Sequence, residues 1–405
     1  MDIFAKVRKF KRHTDQISAH GQTYHIPFTV SATGELLHRG RRVVHAGSSD
    51  YLGLARDPRV LSAAESALRR EGVACTSSRL LCGTRESHLA LERNLADFLG
   101  RDEALVFSTG MLAVSGTIAA IASNPEDILY IDRGNHASIF DGCCLSRATV
   151  NKFRHNDPDR LRIAASKDPP EAPKLAVLEG VYSATGDLCD LTRFVEVARA
   201  LRIRLVVDEA HSLGVLGIHG RGAAEHFDVE KDVDLVVGTF SKSLGSSGGF
   251  VAGRSDVIDF LRFVSRQFVF TAALSPVHCA AANCALNILQ QEPERRALVR
   301  NHSRQLHEAL VSLDFTVTGG GGPIVSVFVG NEDKTLTYFH KLLEMGIVVN
   351  PFVQPGVEPG GDLLRICVSA AFDDDDVFKI IEAFASLRDS HLIRPLELDP
   401  VTHQA

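Results

Sequence analysis

The chain has 405 residues, is 45% hydrophobic and 23% charged, and carries a net charge of −6. That length is ample for a large core and for two or three units, and so ordinary a composition excludes a disordered, collagen-like or disulfide-stapled protein. Both signs of charge are interspersed, with no basic face of the kind that binds nucleic acid.

In chain order, residues 1–13 lack the apolar core and small-residue cleavage site of a secretory signal. Ile3, Phe4, Val7 and Phe10 alternate there with Lys6, Arg8, Lys9, Lys11 and Arg12. This basic amphipathic pattern suits a helix packing on another subunit, or at most peripheral contact with a membrane surface. Asp57-Pro58 opens a helix whose buried face is expected at Val60, Leu61, Ala64 and Leu68, with Gly72 closing it. Leu91, Leu95, Phe98 and Leu99 repeat at helical spacing before Gly100. Asp190 is the expected cap of a helix bearing Leu191, Phe194, Val195, Ala198 and Leu201.

Between these helices lie compact β-branched runs at 174–179, 204–208 and 234–239, the pattern of strands buried on both faces of a mostly parallel sheet. After about residue 285 a long helical stretch leads to a strand at 323–329, a helix at 333–345, strands at 347–350 and 363–368, and a helix at 374–387. The expected organisation is α/β: an N-terminal segment (1–48), a large domain with a mostly parallel sheet wrapped by helices (49–285), a smaller C-terminal α+β domain (286–395) and a tail (396–405). The two longest stretches free of charge, 104–125 and 267–291, are interrupted by polar residues, glycine or proline and do not read as membrane spans. Eight scattered cysteines with no CxxC pair point to buried thiols in a reducing, cytoplasmic setting.

Three motifs mislead. Asp208-Glu-Ala-His211 spells a helicase motif, but the chain has no Gly-Lys dipeptide and so no phosphate loop. Gly245-Ser-Ser-Gly-Gly249 fits GxSxG, yet a strand-like run follows where a nucleophile elbow requires a helix. Gly319–Gly322 precedes a strand, the wrong context for a dinucleotide loop. The histidines have no HxxxH or HExxH spacing, and no metal is expected.

The chemistry concentrates elsewhere. Lys242 follows a buried strand and is flanked by hydroxyls and glycines; desolvation there lowers a lysine's pKa and frees its amine for a Schiff base, although a strand-end lysine can equally reach solvent. Asp208 ends another such strand, at the sheet edge where ligands bind, and can pair with a pyridinium nitrogen; capping the next segment is the plainer alternative. His211 is one turn on. Gly110 and Met111 open an uncharged helix whose amides can hold a phosphate, and His136 offers a plane for stacking. Together these are the parts of a pyridoxal phosphate site, in the order phosphate glycine, stacking histidine, aspartate, lysine.

The segments Ser49-Asp-Tyr-Leu-Gly-Leu54, Ser87-His-Leu-Ala-Leu-Glu92, His136-Ala-Ser138, Glu179-Gly-Val-Tyr-Ser183, Asp208-Glu-Ala-His211, Gly220-Arg-Gly222, Gly238-Thr-Phe-Ser-Lys-Ser243 and Leu364-Arg365 resemble those of the α-oxoamine synthases. These are pyridoxal-phosphate enzymes of fold type I, the aspartate-aminotransferase fold. Phe107–Gly110, His136–Cys143 and Phe153-Arg-His-Asn156 are most similar to the bacterial serine palmitoyltransferase branch, whereas Arg79-Leu-Leu-Cys-Gly-Thr84 is more like the glycine-using ketobutyrate ligases.

The resemblance implies condensation of a small amino acid with an acyl thioester, with loss of carbon dioxide and free thiol. Serine and a long-chain acyl-CoA are the first choice. Glycine or alanine with another acyl-CoA or acyl carrier protein, as in the 8-amino-7-oxononanoate synthases, is the alternative. The segments at 49–54 and 179–183 speak against a plain aminotransferase, and Lys242 against a non-catalytic subunit. Carried over, Lys242 forms the Schiff base with pyridoxal 5'-phosphate and moves the α-proton, Asp208 pairs with the ring nitrogen, His211 contacts the ring oxygen, and His136 stacks on the ring. Gly110, Met111, Thr239 and Ser241 hold the phosphate, Ser183 lies near the ring, and Arg365 clamps the substrate carboxylate. Thr271 would enter from the other subunit of a homodimer with active sites at the interface. Ser49, Val114, Ala184, Ala273 and Phe372 depart from the family's frequent residues near the substrate.

Overall fold

Alternation within the strands explains the sheet. In the computed structural model, which describes residues 2–32 and 34–388, one face of the central strands presents Val106, Tyr130, Leu178, Val207 and Val236, and the other presents Leu105, Leu129, Val177, Val206 and Val237. All ten side chains are buried, so helices must cover both faces. The expected tail at 396–405, and the end of the smaller domain beyond 388, lie outside the described residues.

Three short strands, β1 (Thr29–Val30), β2 (Leu36–His38) and β3 (Arg41–Arg42), form an N-terminal antiparallel ribbon. The central sheet comprises β4 (Glu103–Phe107), β5 (Ile128–Asp132), β6 (Thr149–Phe153), β7 (Lys174–Glu179), β8 (Arg204–Asp208), β9 (Leu235–Thr239) and β10 (Gly249–Gly253), in spatial order β4-β10-β9-β8-β7-β5-β6. Only β10 runs against its neighbours. It returns directly from the end of β9 through residues 240–248, and Lys242 sits on that excursion, at the carboxyl edge of the parallel strands. A C-terminal antiparallel sheet follows: β11 (Thr316–Gly319), β12 (Ile324–Phe328), β13 (Asn350–Phe352) and β14 (Leu363–Cys367), in order β11-β12-β14-β13.

Several details differ from the sequence reading. The helix Pro58–Glu71 begins as expected, with Asp57 accepting the Arg59 amide, but it buries Val60 and Ala67 while Leu61 and Leu68 stay exposed. The packed stripe is the small-residue one, rotated by one position, because this helix lies close against Pro276–Gln291. Asp190 precedes its helix without a side-chain capping bond. The long helical stretch is two helices, Pro276–Gln291 and Pro293–Ser312, separated where Pro293 starts a new first turn. The apolar run at 347–349 pairs not within the sheet but with the N-terminal segment, through Val348 N to Val44 O at 2.9 Å, so β13 begins only at Asn350. β11 was not foreseen.

One ion pair ties the helix Glu86–Leu99 to the central sheet. Arg79 Nη1 and Nη2 donate to the two carboxylate oxygens of Glu92 at 2.9 and 3.0 Å, and Glu92 also accepts the Val106 amide at 2.9 Å. Both side chains are buried. Glu92→Gln keeps the shape but leaves a buried guanidinium uncompensated, which is expected to lower the unfolding free energy by about 3–5 kcal/mol. Urea denaturation reads this; a loss within about 0.5 kcal/mol would show that the pair does not hold the helix to the sheet.

Candidate active site

Asp208 and Glu179 end adjacent parallel strands and are register partners, so two carboxylates stand side by side at the carboxyl edge of the sheet. Both are buried. Asp208 accepts the Ala210 amide at 2.9 Å, which leaves most of its acceptor capacity for a ligand. Glu179 accepts the Ser183 amide at 3.1 Å with one oxygen and the His136 amide with the other. It thereby fixes the start of two separate loops.

Lys242 faces this pair from the turn after β9. Burial pushes its pKa down to about 8, although Asp208 and Glu179 pull it upward. Glu179 is pushed up to about 8 by burial and by the Asp208 charge. Asp208 is also raised by burial, with Lys242 opposing the shift. His211 lies wholly buried beyond them, and burial together with the Lys242 and Arg365 cations holds its pKa well below the ordinary value.

His136 immediately precedes the helix Ala137–Leu145 and turns its Nδ1 back onto that helix, accepting from the Ser138 amide at 3.2 Å. Desolvation, with the Lys242 and Arg365 cations, lowers its pKa against the pull of Asp208. Its loop is anchored from behind. Buried Asp132 accepts from Gly134 N (2.6 Å), Asn156 N (2.6 Å), Tyr182 Oη (2.8 Å) and His155 Nδ1 (2.9 Å).

The phosphate candidates converge on one wall. Gly110 is the first residue of the helix Gly110–Ile121, whose first-turn amides have no intrahelical acceptor. Thr239 Oγ1 lies 2.8 Å from Ser241 Oγ and donates to Gly248 O at 2.9 Å. A Cβ at Gly110 would stand 2.8 Å from Thr239 Cβ, so glycine is what lets the helix terminus and the β9 turn meet. Met111 is 39% exposed and Ser241 exposed, both on the open side.

Arg365 comes from β14. Its Nη1 donates to Ser183 O at 2.6 Å, its guanidinium lies 4.7 Å over the Phe352 ring, and its buried Nε has no partner. Ser49 lies beside Tyr51, whose hydroxyl meets His211 Nδ1 at 2.6 Å. Within one chain, Thr271 is not hydrogen-bonded to the others; its segment is tied to the end of β4 through Ser108 Oγ and Ala272 O, 2.6 Å apart. The sequence reading assigned roles to neither Glu179 nor Tyr51, although both stand in segments that it singled out. Among the described residues no cluster of histidine, cysteine, aspartate or glutamate is suited to a metal.

The donor set fits pyridoxal phosphate: a desolvated amine, an aspartate with free acceptor capacity for a pyridinium, a glycine-opened helix terminus for the phosphate, and a guanidinium with an unpartnered nitrogen. In the cofactor-free protein, modification of Lys242 by an amine-selective reagent is expected to rise through a midpoint of about 8. Asp208→Asn should move that midpoint lower, because the carboxylate favouring the ammonium is gone. Peptide mapping across pH checks both, and a midpoint at the ordinary lysine value of about 10.4 would contradict the desolvation.

Residues 41–384 match the family model for aminotransferase class I and II. The chain is 38% identical over 359 residues to a serine palmitoyltransferase of Sphingobacterium spiritivorum, covering 89% of this chain and 90% of that protein. It is 40% identical over 339 residues to an 8-amino-7-oxononanoate synthase of Methylococcus capsulatus, covering 84% and 87%. The structure of Sphingomonas wittichii serine palmitoyltransferase superposes with a TM-score of 0.93 at 36% identity, covering 97% of this chain and 100% of that one. A further serine palmitoyltransferase structure, described as carrying pyridoxal phosphate, has a TM-score of 0.92 at 33% identity and covers 96% and 99%.

Proposed function

The chain belongs to the class I and II aminotransferase family, among its α-oxoamine synthases, and on that premise we propose that it condenses L-serine with a long-chain acyl-CoA. The products are an α-amino ketone, carbon dioxide and free thiol, with one proton taken up by the thiolate. The carrying observation is Lys242, desolvated beside Asp208 and Glu179 at the carboxyl edge of the sheet.

Pyridoxal phosphate, when bound, supplies an aldehyde for the substrate amine and a protonated pyridine that accepts the electrons of the α-carbanion. Asp208 would hold the ring nitrogen protonated, His211 would meet the ring oxygen, and His136 would cover the ring face. Gly110, Met111, Thr239 and Ser241 would hold the phosphate, and Ser183 would border the ring. The lowered pKa of Lys242 makes its amine a base near neutral pH, able to take the substrate's α-proton and return it. Arg365 orients the substrate carboxylate, with Ser49 beside it.

The second reading uses glycine or alanine with another acyl-CoA or acyl carrier protein. It is favoured by the likeness to an 8-amino-7-oxononanoate synthase and by the segment Arg79–Thr84.

We also infer a homodimer to which Thr271 of each chain contributes across the interface. Val73, Leu81 and Phe270 are each more than 70% exposed on segments joined to one another beside the phosphate wall, through Ser275 Oγ to Val73 O and the Ser78–Ala272 bridge. Such an apolar belt is the kind of surface a second copy covers. The N-terminal helix Ala5–Ala19, with Phe4, Val7 and Phe10 exposed, belongs to the same interface in this reading, with peripheral membrane contact as its alternative. A cytoplasmic location is supported by eight thiols, all free.

Thiol release from palmitoyl-CoA by the purified, cofactor-loaded protein, with serine, glycine and alanine offered separately, tests the function. Release with serine alone is the expected result; release only with glycine or alanine replaces the substrate, and release with none moves the enzyme to another acyl donor. Lys242→Ala is expected to lower turnover by at least about a hundredfold and to remove the cofactor's visible imine band. Unchanged turnover in that variant would overturn the assignment.

A further inference from the structure

Tyr51 is 0% exposed and is held without slack. Asp50 accepts the amides of Leu54 and Ala55 at 2.9 and 3.1 Å, Ser369 Oγ donates to Asp50 O at 2.7 Å, and Ala370 N donates to Tyr51 O at 2.7 Å. The phenol is thus aimed by its backbone. Its oxygen lies 2.6 Å from His211 Nδ1, with the Ser49 hydroxyl and the Cys367 thiol also beside the phenol.

Both partners are neutral. Burial and two nearby cations keep His211 unprotonated, and burial keeps the phenol protonated. A neutral imidazole carries its single proton on one nitrogen, and the bond made by the other nitrogen decides which. Of the groups around the phenol the imidazole nitrogen, at 2.6 Å, is the strong acceptor and the Cys367 thiol a weak one, so the phenol proton goes to Nδ1 and the ring proton resides on Nε2.

We propose that Tyr51 is a positioning residue that fixes His211 as the Nε2–H tautomer, so that His211 presents a donor to the phenolic oxygen of the pyridoxal ring. This rests on the reading above, in which His211 faces that oxygen. A donor draws negative charge from the ring oxygen and leaves less to hold the neighbouring imine proton. Without it, that proton is retained to higher pH.

Two measurements on the full-length protein test the inference. The first is ¹⁵N NMR of histidine-labelled, cofactor-free protein, with His211 identified by the signal lost in His211→Gln. Wild type is expected to show Nε2–H alone, and Tyr51→Phe a mixture with Nδ1–H. The second is the pH midpoint of the visible band after loading with pyridoxal phosphate, expected to rise by about one pH unit in Tyr51→Phe. Ser49→Ala, which removes only the hydroxyl beside the phenol, should shift it less and in the same direction. A visible band with the same midpoint in wild type and both variants, or an unchanged His211 tautomer, overturns the inference and leaves the proposed function standing. A changed tautomer with no visible band in wild type counts instead against pyridoxal phosphate at this site, and so against the reading on which the inference rests.

Discussion

A partly buried ammonium is the constraint on which the site depends. Lys242 lies where desolvation opposes its charge, and chiefly the carboxylates at the ends of β8 and β7 restrain the fall of its pKa to about 8. Those carboxylates are adjacent because the strands that end in them are parallel and in register. An antiparallel neighbour at this point would send one of them to the opposite edge. The single antiparallel strand, β10, enters beyond β9 and so leaves the β7–β8–β9 edge intact. Its inclusion also bends the chain back through residues 240–248, which brings the lysine round to face the pair.

Around that edge the loops are held by buried carboxylates rather than by regular structure. Glu209, next to Asp208, accepts the amides of Ala223 and Ala224 at 2.7 and 3.0 Å and also contacts the Ser212 hydroxyl. Gly222 lets that loop approach, since a Cβ there would stand 2.3 Å from a Glu209 oxygen. Asp132 does the same for the loop ending in His136. His155, bridging Asp132 and Asp187, is pushed up to about 9 by the two carboxylates against the effect of burial. It therefore supplies a cation at neutral pH between the buried Asp132 and the half-buried Asp187. Each such group is costly to bury, and each recovers that cost in charge-assisted bonds to amides that a loop alone would leave unsatisfied.

How much of this was legible in the sequence follows from what each residue does. Strands buried on both faces betray themselves as β-branched runs, so the sheet and the positions of Asp208 and Lys242 at strand ends were readable from pattern alone. His211, His136, Gly110 and Met111 were offered by local context, and the segment resemblances carried Ser49, Ser183, Thr239, Ser241, Thr271 and Arg365. Glu179 and Tyr51 escaped because their roles rest on partners remote in sequence: the His136 amide 43 residues away for Glu179, and an imidazole 160 residues away for Tyr51. A glutamate at the end of a strand in which every residue is buried was the one available signal. Leu61 and Leu68 misled because periodicity identifies an apolar stripe, whereas packing selected the neighbouring small one. The run at 347–349 looked like a strand of the C-terminal sheet, but its partner is Val44, which no local pattern reveals.

The family departures divide by the same logic. Val114 is buried at 3% exposure among core side chains, and Phe372 packs half-buried against the main core. Ala184 contributes its carbonyl, accepting from Ser326 Oγ at 2.7 Å, and Ala273 its amide, donating to Ser77 O at 2.9 Å; neither backbone group depends on the side chain. Ser49 is different. A hydroxyl there reaches the phenol of Tyr51, and through it His211, where a longer amide would need different room and would offer both a donor and an acceptor. On the opposite side, Arg365 is held by Ser183 O and the Phe352 ring but keeps a buried Nε without a partner. A guanidinium so fixed keeps one donor for an acceptor brought to it. The sheet edge thus fixes Asp208, Glu179 and Lys242, while among these departures Ser49 is the one whose side chain lies beside a buried phenol.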